Sequence, residues 1–513
     1  MATVLGAVAA GDGVTADAVA EILRLGGNAC DAALAGLFVA CVSEPVLCSL
    51  AGGGFLMIRP ADAPPLLYDF YSQTPQHMRP VDELDFLPVE ANFGTARQQF
   101  HIGHGSVATP GLVAGAFAAH ADFGRLSMQQ VVAPAVRHAR DGVPVSPLQS
   151  FILEAVAPIF LWSQEARALF GSRRKSGGVL QPGERLRMTA FAQVLEDLAV
   201  NGPDHMYSGN LGRALARAQR SEGGSLQEGD LEDYTVARRE PLGFQFAGEH
   251  ILTNPLPSCG GALIAGYLSL LDSGPTDAQT LVRAMLAVAN ARTATGPLDE
   301  TDQAEVGRVL KDAMQSEYRN LLEARAVKTG GTTHLSVIDS DGNVVALSVS
   351  NGEGAGHLWP DTDIMLNNML GEEDTNPQGF FNWRPDSRVS SMMAPTVLTR
   401  ENGVVVALGS GGSNRIRTAI MQVIVNYLKR GMTLEAAIAA PRLHTDGGAV
   451  HVEFGHSGAL RDGLSEEFGT VENWPDQNFF FGGVHAVSFD PRTGEFEAAG
   501  DPRRGGVGLV VAE

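Results

Sequence analysis

The sequence predicts an α/β protein of the mixed, α+β kind, with helices and sheets stacked in layers. Three observations predict it. Apolar residues make up 44% of the 513 positions and charged residues 19%, the composition of a folded, core-rich chain. A β-rich run from Thr332 to Asp339 is followed by the turn Ser340-Asp341-Gly342-Asn343 and a second strand, Val344 to Ser350. Within it, Val344-Val345-Ala346-Leu347 is apolar on both faces of the pleat, so the hairpin must be covered on both sides.

Near the N-terminus, Val14, Ala18, Ile22 and Leu25 repeat at helical spacing. Asp12 or Thr15 can cap that helix and Gly26-Gly27 stops it. Asp31 to Val42 predicts a second helix, apolar on nearly every side and therefore buried. Ala51-Gly52-Gly53-Gly54 leads into Phe55-Leu56-Met57-Ile58, which suits a buried strand. From about Gln130 to Ala326 the pattern is mostly helical, broken by the basic stretch from Ser172 to Gly178, a solvated loop. Beyond the hairpin, Val404 to Leu408 reads as a strand running into Gly409-Ser410-Gly411-Gly412-Ser413, and Ile416 to Leu428 as an apolar helix. A glycine-rich turn of this kind brings backbone amides to a helix N-terminus, where anionic groups are attracted.

A net charge of −21 and a pI near 5.0 leave no electrostatic footprint for phosphate backbones or anionic membranes, so neither nucleic acid nor a membrane is an expected partner. Cys30, Cys41, Cys48 and Cys259 form no CxxC pair and no disulfide framework; three of them lie in one alanine-rich stretch as small buried hydrophobes. The longest apolar run there, Ala32 to Val42, is too short to span a bilayer. The N-terminus has no basic leader region, so the chain as written reads as cytoplasmic, or as periplasmic or secreted if a leader was removed. No cofactor is implied: there is no GxxxxGK[ST] loop, no GxSxG elbow, and the GxGxxG pattern breaks at Asn414. His101 and His104 have ligand-like spacing but no cysteine or carboxylate completes a set, so no metal is expected.

The informative segment is Gly330-Gly331-Thr332-Thr333-His334-Leu335-Ser336-Val337. Taken structurally, it is a turn entering a strand. Taken chemically, Gly331 has no side chain to block attack on its carbonyl. Breakage of the bond between Gly331 and Thr332 would give Thr332 a free α-amine beside its own hydroxyl. Such an amine has a reference pKa of about 7.7–8.0 and is a usable base near neutral pH. Nucleophile and base would then sit on one residue.

Thr332 to Ala346 resembles the processing-site signature of the gamma-glutamyltransferase (gamma-glutamyltranspeptidase) family, N-terminal nucleophile hydrolases with an αββα sandwich fold. The resemblance covers nearly the whole chain. Gly26 to Ala33, Gly52 to Phe55, Val107 to Gly111, Gly223 to Leu231 and Pro255 to Gly261 follow in order. Leu366-Asn367-Asn368, Ser390-Ser391-Met392, Gly411-Gly412-Ser413 and Ala440-Pro441-Arg442 complete it.

The resemblance implies a self-cleaving zymogen: Thr332 attacks the Gly331 carbonyl, then substrate. Its fragments, residues 1–331 and 332–513, would form one compact heterodimer, with a homo-oligomer of these open. Ser350 falls where the family has a hydroxyl bonded to the nucleophile. Gly411 and Gly412 match its oxyanion-hole pair, and only glycine lets backbone approach a tetrahedral intermediate so closely. Ser390 and Ser391 match the serines that hold the donor's α-carboxylate. An acid after Asn367-Asn368 would hold the α-amino group; either Glu372 or Glu373 can serve.

Two departures concern substrate. Asp69-Phe70-Tyr71-Ser72-Gln73-Thr74-Pro75 carries Tyr71 where the family has a carboxylate-clamping arginine. A neutral hydroxyl replaces a bidentate charged fork, so glutathione-type donors are expected to bind poorly unless another cation compensates. Asn351 is shifted by one place in the more flexible run Asn351 to Gly356. The expected activity is a gamma-glutamyltransferase-like amidohydrolase or acyltransferase acting on a small amide or peptide that bears a carboxylate, γ-glutamyl compounds or glutathione among them. One alternative is an amidohydrolase for a small or non-γ-glutamyl acyl group. Another is an unprocessed binding relative.

Overall fold

A computed structural model of the chain describes residues 3–93, 97–295, 331–376, 378–445 and 447–513. Two antiparallel sheets form its centre. The first has seven strands, in the order Val507–Ala512, Val4–Ala10, Thr333–Asp339, Val344–Ser350, Gly53–Arg59, Leu66–Phe70 and Ala237–Arg239. The second has six, in the order Glu495–Ala499, Gly483–Asp490, Val405–Gly411, Thr396–Thr399, Glu249–Thr253 and Leu242–Phe246.

The sheets pack face to face. Thr333–Asp339 and Val344–Ser350 lie over Val405–Gly411, and all three strands are buried along their whole length. Helices close both outer faces. Ala29–Ser43 packs on the first sheet, and Arg415–Leu428 and Leu434–Ala439 pack on the second. This is the αββα sandwich, and it explains why the central hairpin is apolar on both sides.

The N-terminal helix is Gly13–Arg24, with the Asp12 side chain accepting the Val14 N–H at its start. The next, Ala29–Ser43, begins two residues before the expected Asp31 because Asn28 and Asp31 form a reciprocal capping box. All four cysteines are buried. No described helix is long and apolar enough to cross a membrane.

The described part of 130–326 is mostly helical, as expected, but it also carries strands. Ala237–Arg239, Leu242–Phe246 and Glu249–Thr253 are strands that extend both sheets at one edge. They are short and half-exposed; Ala237–Arg239 pairs with Leu66–Phe70 and Glu249–Thr253 with Thr396–Thr399, while Leu242–Phe246 forms a hairpin with Glu249–Thr253. The end of that stretch, 296–326, lies outside the described residues. A correction concerns Gly409, read as part of a turn: it lies inside a strand, where a Cβ would come within 2.3 Å of the His334 ring on the facing sheet.

Candidate active site

The register brings strand ends from both sheets to one place. Thr332 immediately precedes Thr333, which pairs with Val349, so Ser350 lies beside it. Gly411 ends its own strand opposite Gly483 on the other sheet. Thr332, Ser350, Gly411 and Gly412 therefore converge, although the first and last are 80 positions apart in the chain. Thr332 is 5% exposed.

Gly331 is clamped by its neighbours. Its carbonyl oxygen accepts the Ser350 hydroxyl at 2.5 Å, and its N–H is held by the Glu353 carboxyl. A Cβ at this position would meet the Gly352 carbonyl oxygen at 2.4 Å and the Val46 carbonyl oxygen at 3.0 Å, so only glycine fits. Ser350 thus bonds the carbonyl that would be attacked, whereas the sequence pointed to the nucleophile as its partner. A hydroxyl donor on that oxygen stabilises the negative charge that attack would place there.

The glycine pair presses on the same residue. A Cβ on Gly411 would sit 2.1 Å from the Thr332 carbonyl oxygen, and Gly412 has φ of +117°, a conformation side chains disfavour. The helix Arg415–Leu428 starts three residues later and turns its positive end toward this corner. Asp374 braces the turn: it accepts hydrogen bonds from the Ser413 hydroxyl and, at 3.1 Å, from the Asn414 amide.

Three ionisable residues that sequence reasoning missed touch Thr332 or its chain neighbours. Glu44 accepts the Thr333 hydroxyl at 2.8 Å, and burial pushes its carboxyl up to about 8. Glu353 is pushed well above the usual carboxylate range by burial and by Glu372 nearby. Arg504 reaches the Thr332 carbonyl oxygen at 3.5 Å. Glu44 stood in the sequence as part of a helix stop, Glu353 in a glycine-rich run and Arg504 in a terminal Arg-Arg pair. Only their convergence gives them meaning.

The serine side of the corner is built around Tyr71. Its hydroxyl lies 3.0 Å from the Met369 sulfur and bonds with Ser391. Burial, then the Glu372 carboxyl, hold the phenol well above its usual pKa, so it stays neutral. Glu372 is buried against Gly352, where a Cβ would meet its Oε1 at 2.4 Å. Glu373 is exposed, so of the two acids Glu372 is the one turned toward Tyr71 and Gly352. Ser391 is buried and Ser390 half-buried, with Ser390 Oγ 4.0 Å from the Cys259 sulfur. Asn351, expected among the substrate contacts, instead directs its amide at the Met365 and Leu366 carbonyls, both at 3.4 Å.

Arg388 lies near these serines but is engaged elsewhere, with Asp69, Gln73, the Thr235 carbonyl and the Tyr234 ring. The two histidines of interest diverge: His101 stacks on Phe86, and His104 Nδ1 accepts the Gln219 amide N–H, with burial pushing it down to about 4. Among the described residues no group of three or more His, Cys, Asp or Glu is placed to hold a metal ion.

Comparison with known proteins finds relatives that span nearly the whole chain. The family model described as gamma-glutamyltranspeptidase matches residues 15–511. An acylase ACY 1 proenzyme from Pseudomonas sp. (strain SE83) is 33% identical, over 92% of this chain and 88% of its own. A glutathione hydrolase proenzyme from Pseudomonas aeruginosa is 29% identical, over 99% of this chain and 94% of its own. The crystal structure of a cephalosporin acylase from Bacillus halodurans superposes with a TM-score of 0.84 at 21% identity, covering 99% of this chain and 96% of that one.

Proposed function

The chain belongs to the gamma-glutamyltranspeptidase family, enzymes of the N-terminal nucleophile hydrolase fold, and on that premise we propose that it cleaves itself before Thr332 and then works as an acylase whose preferred donor is not γ-glutamyl. In the first step the Thr332 hydroxyl attacks the Gly331 carbonyl and the Thr332 nitrogen leaves as an amine. The resulting ester is opened by water, which gives a Gly331 carboxylate and a free Thr332. Fragments 1–331 and 332–513 stay together, because Thr333–Asp339 is the central neighbour of Val4–Ala10 in one sheet.

In turnover the amine takes the proton of the Thr332 hydroxyl as that oxygen attacks the substrate amide. The oxyanion is received by the amides of Gly411 and Gly412, the leaving nitrogen takes the proton, and water or an amine releases the acyl group. Ser390, Ser391 and Glu372 orient the acyl chain.

The observation that carries the choice of donor is the buried Tyr71 hydroxyl, set against Met369 and Ser391 where a clamping guanidinium would be needed. The cations beside the serine pair are engaged elsewhere: Arg388 with Asp69 and Gln73, and Arg417, against the Met392 sulfur, with the Tyr267 hydroxyl at 2.7 Å and the Asn414 side-chain oxygen at 3.1 Å. Relatives named as acylases at 33% identity support the same reading. The test has two stages. Mass spectrometry of purified protein is expected to find the two fragments. The cleaved enzyme is then assayed on acetyl, butyryl, glutaryl and γ-glutamyl anilides, with γ-glutamyl expected to be the poorer donor by at least about tenfold, the worth of one charge-assisted contact. A γ-glutamyl preference would overturn the donor assignment, and an uncleaved chain the nucleophile.

A further inference from the structure

We propose that Arg504 is a positioning residue that sets the basicity of the amine unmasked on Thr332, keeping that amine neutral, and so able to act as base, at neutral pH. The inference rests on the nucleophile assigned above.

Arg503 and Arg504 are adjacent in the short turn Pro502–Arg504, yet they meet opposite fates. Arg503 is neutralised: it bonds Glu453 at 2.5 and 2.7 Å and Asp501 at 3.2 Å. Arg504 has no such pairing. Its Nη1 reaches only the Thr332 carbonyl oxygen, at 3.5 Å, and its Nε is buried without a hydrogen-bond partner among the described residues. Three glycines make the slot that holds it. A Cβ on Gly411 would come within 3.2 Å of Nη1, one on Gly412 within 3.0 Å of Nη2, and one on Gly483 within 2.3 Å of Cδ. The Phe479 ring lies 5.8 Å from its Cζ.

The carboxyls around it do not cancel its charge. Asp501 is spent on Arg442, at 2.6 Å, and on Arg503. Burial pushes Glu44 up to about 8, so near neutral pH it favours the protonated form, and burial pushes Glu353 in the same direction. Glu372 lies beyond Glu353, and Asp374 faces Ser413 and Asn414. His334 and His485, packed beneath, are driven to the neutral state by burial. Burial lowers Arg504 itself to about 10, which leaves it charged.

A positive charge beside an amine disfavours the ammonium form. Lowering the amine by about one unit from its reference value raises its neutral share at pH 7 from roughly one-tenth to about half. The Thr332 nitrogen is joined through one carbon to the carbonyl that Arg504 touches, so the charge acts at short range on the atom that must accept the proton.

The test uses the full-length, self-cleaved enzyme and the pH profile of kcat/KM on a neutral acyl anilide. Arg504→Met is expected to move the acid limb up by about one pH unit, Arg504→Lys to leave it within a few tenths, and KM to stay unchanged in both. An Arg504→Met limb coincident with the parent's overturns the inference. Should Arg504→Met fail to fold or mature, the parent amine is titrated directly after methylation with 13C-formaldehyde. Fragment 332–513 carries a single lysine, Lys429, so its terminal resonance is resolved. A midpoint below about 7.7 supports the inference and one at or above it overturns it. A parent that stays uncleaved defeats the nucleophile reading instead, whereas a cleaved parent with an unmoved limb defeats only the role of Arg504.

Discussion

The Ser350 hydroxyl donates to the Gly331 carbonyl oxygen at 2.5 Å, across the bond that self-cleavage would break. Gly331 carries the carbonyl under attack, and Ser350 is fixed at the end of its strand by pairing with Gly53. The bond therefore belongs to the uncleaved chain. Once Gly331 departs, the same hydroxyl is released toward Thr332. Ser350→Ala is expected to slow self-cleavage by about 10²–10³-fold, the worth of one oxyanion donor, and Ser350→Thr to restore most of the rate. A time course on denaturing gels checks this; equal rates for parent and Ser350→Ala would remove Ser350 from the processing step.

Gly411 tests the other side of the corner. Its missing side chain leaves room for backbone and not for a movable group, so a methyl placed 2.1 Å from the Thr332 carbonyl oxygen has nowhere to go. Gly411→Ala is expected to lose self-cleavage and about 1–3 kcal/mol of stability, as overpacking typically costs. Gly229→Ala is the control, since nothing lies within 4 Å of a Cβ there. Thermal melts and gel assays read both effects, and a Gly411→Ala protein that still matures at the parent rate would contradict the packing argument.

Much of this arrangement was legible in the sequence because it is written in local terms. The capped helix after Asp12, the doubly apolar hairpin after Thr332 and the glycine pair at 411–412 each obey a short-range rule. What was not legible depends on distant partners. The strand Leu242–Phe246 alternates but spans only five residues, and it joins the sheet because Glu249–Thr253 links it to Thr396–Thr399. Glu44 and Glu353 look like solvated loop acids until the fold buries both beside Thr332. Arg504 looks the same as Arg503 in a sequence, and only the positions of Glu453 and Asp501 separate the neutralised cation from the unpaired one. Gly409 looked like a turn glycine for want of His334, a residue 75 positions earlier in the chain on the facing sheet.

Glu44 makes stability depend on pH in a direction opposite to that of most carboxylates. Its folded value is raised to about 8 against an ordinary 4.5, mainly by burial. Between those values the folded state holds the proton more tightly than the unfolded one, so stability falls as pH rises through this window. Glu44→Gln keeps an acceptor for the Thr333 hydroxyl and removes the titration. Relative to the parent, it is expected to gain stability at pH 8 over pH 5. Urea midpoints at the two values decide it, and a difference that does not change with pH would show that Glu44 is not held protonated.

Tyr71 is expected to set donor choice through what it lacks. The residue is 3% exposed and its hydroxyl ends against Met369 and Ser391, so a side chain at this position reaches the serine pair. An arginine there would bring a guanidinium to the serines and to Glu372. Tyr71→Arg is therefore expected to raise kcat/KM for γ-glutamyl anilide, relative to butyryl anilide, by about tenfold or more, in line with a charge-assisted hydrogen bond. Tyr71→Phe removes only the hydroxyl; it is expected to keep the parent's preference and lose about 1 kcal/mol of stability. Self-cleavage of both variants confirms that the nucleophile corner is intact before the ratio is read. If Tyr71→Arg matures normally and the ratio does not move, position 71 does not govern which acyl group the enzyme accepts.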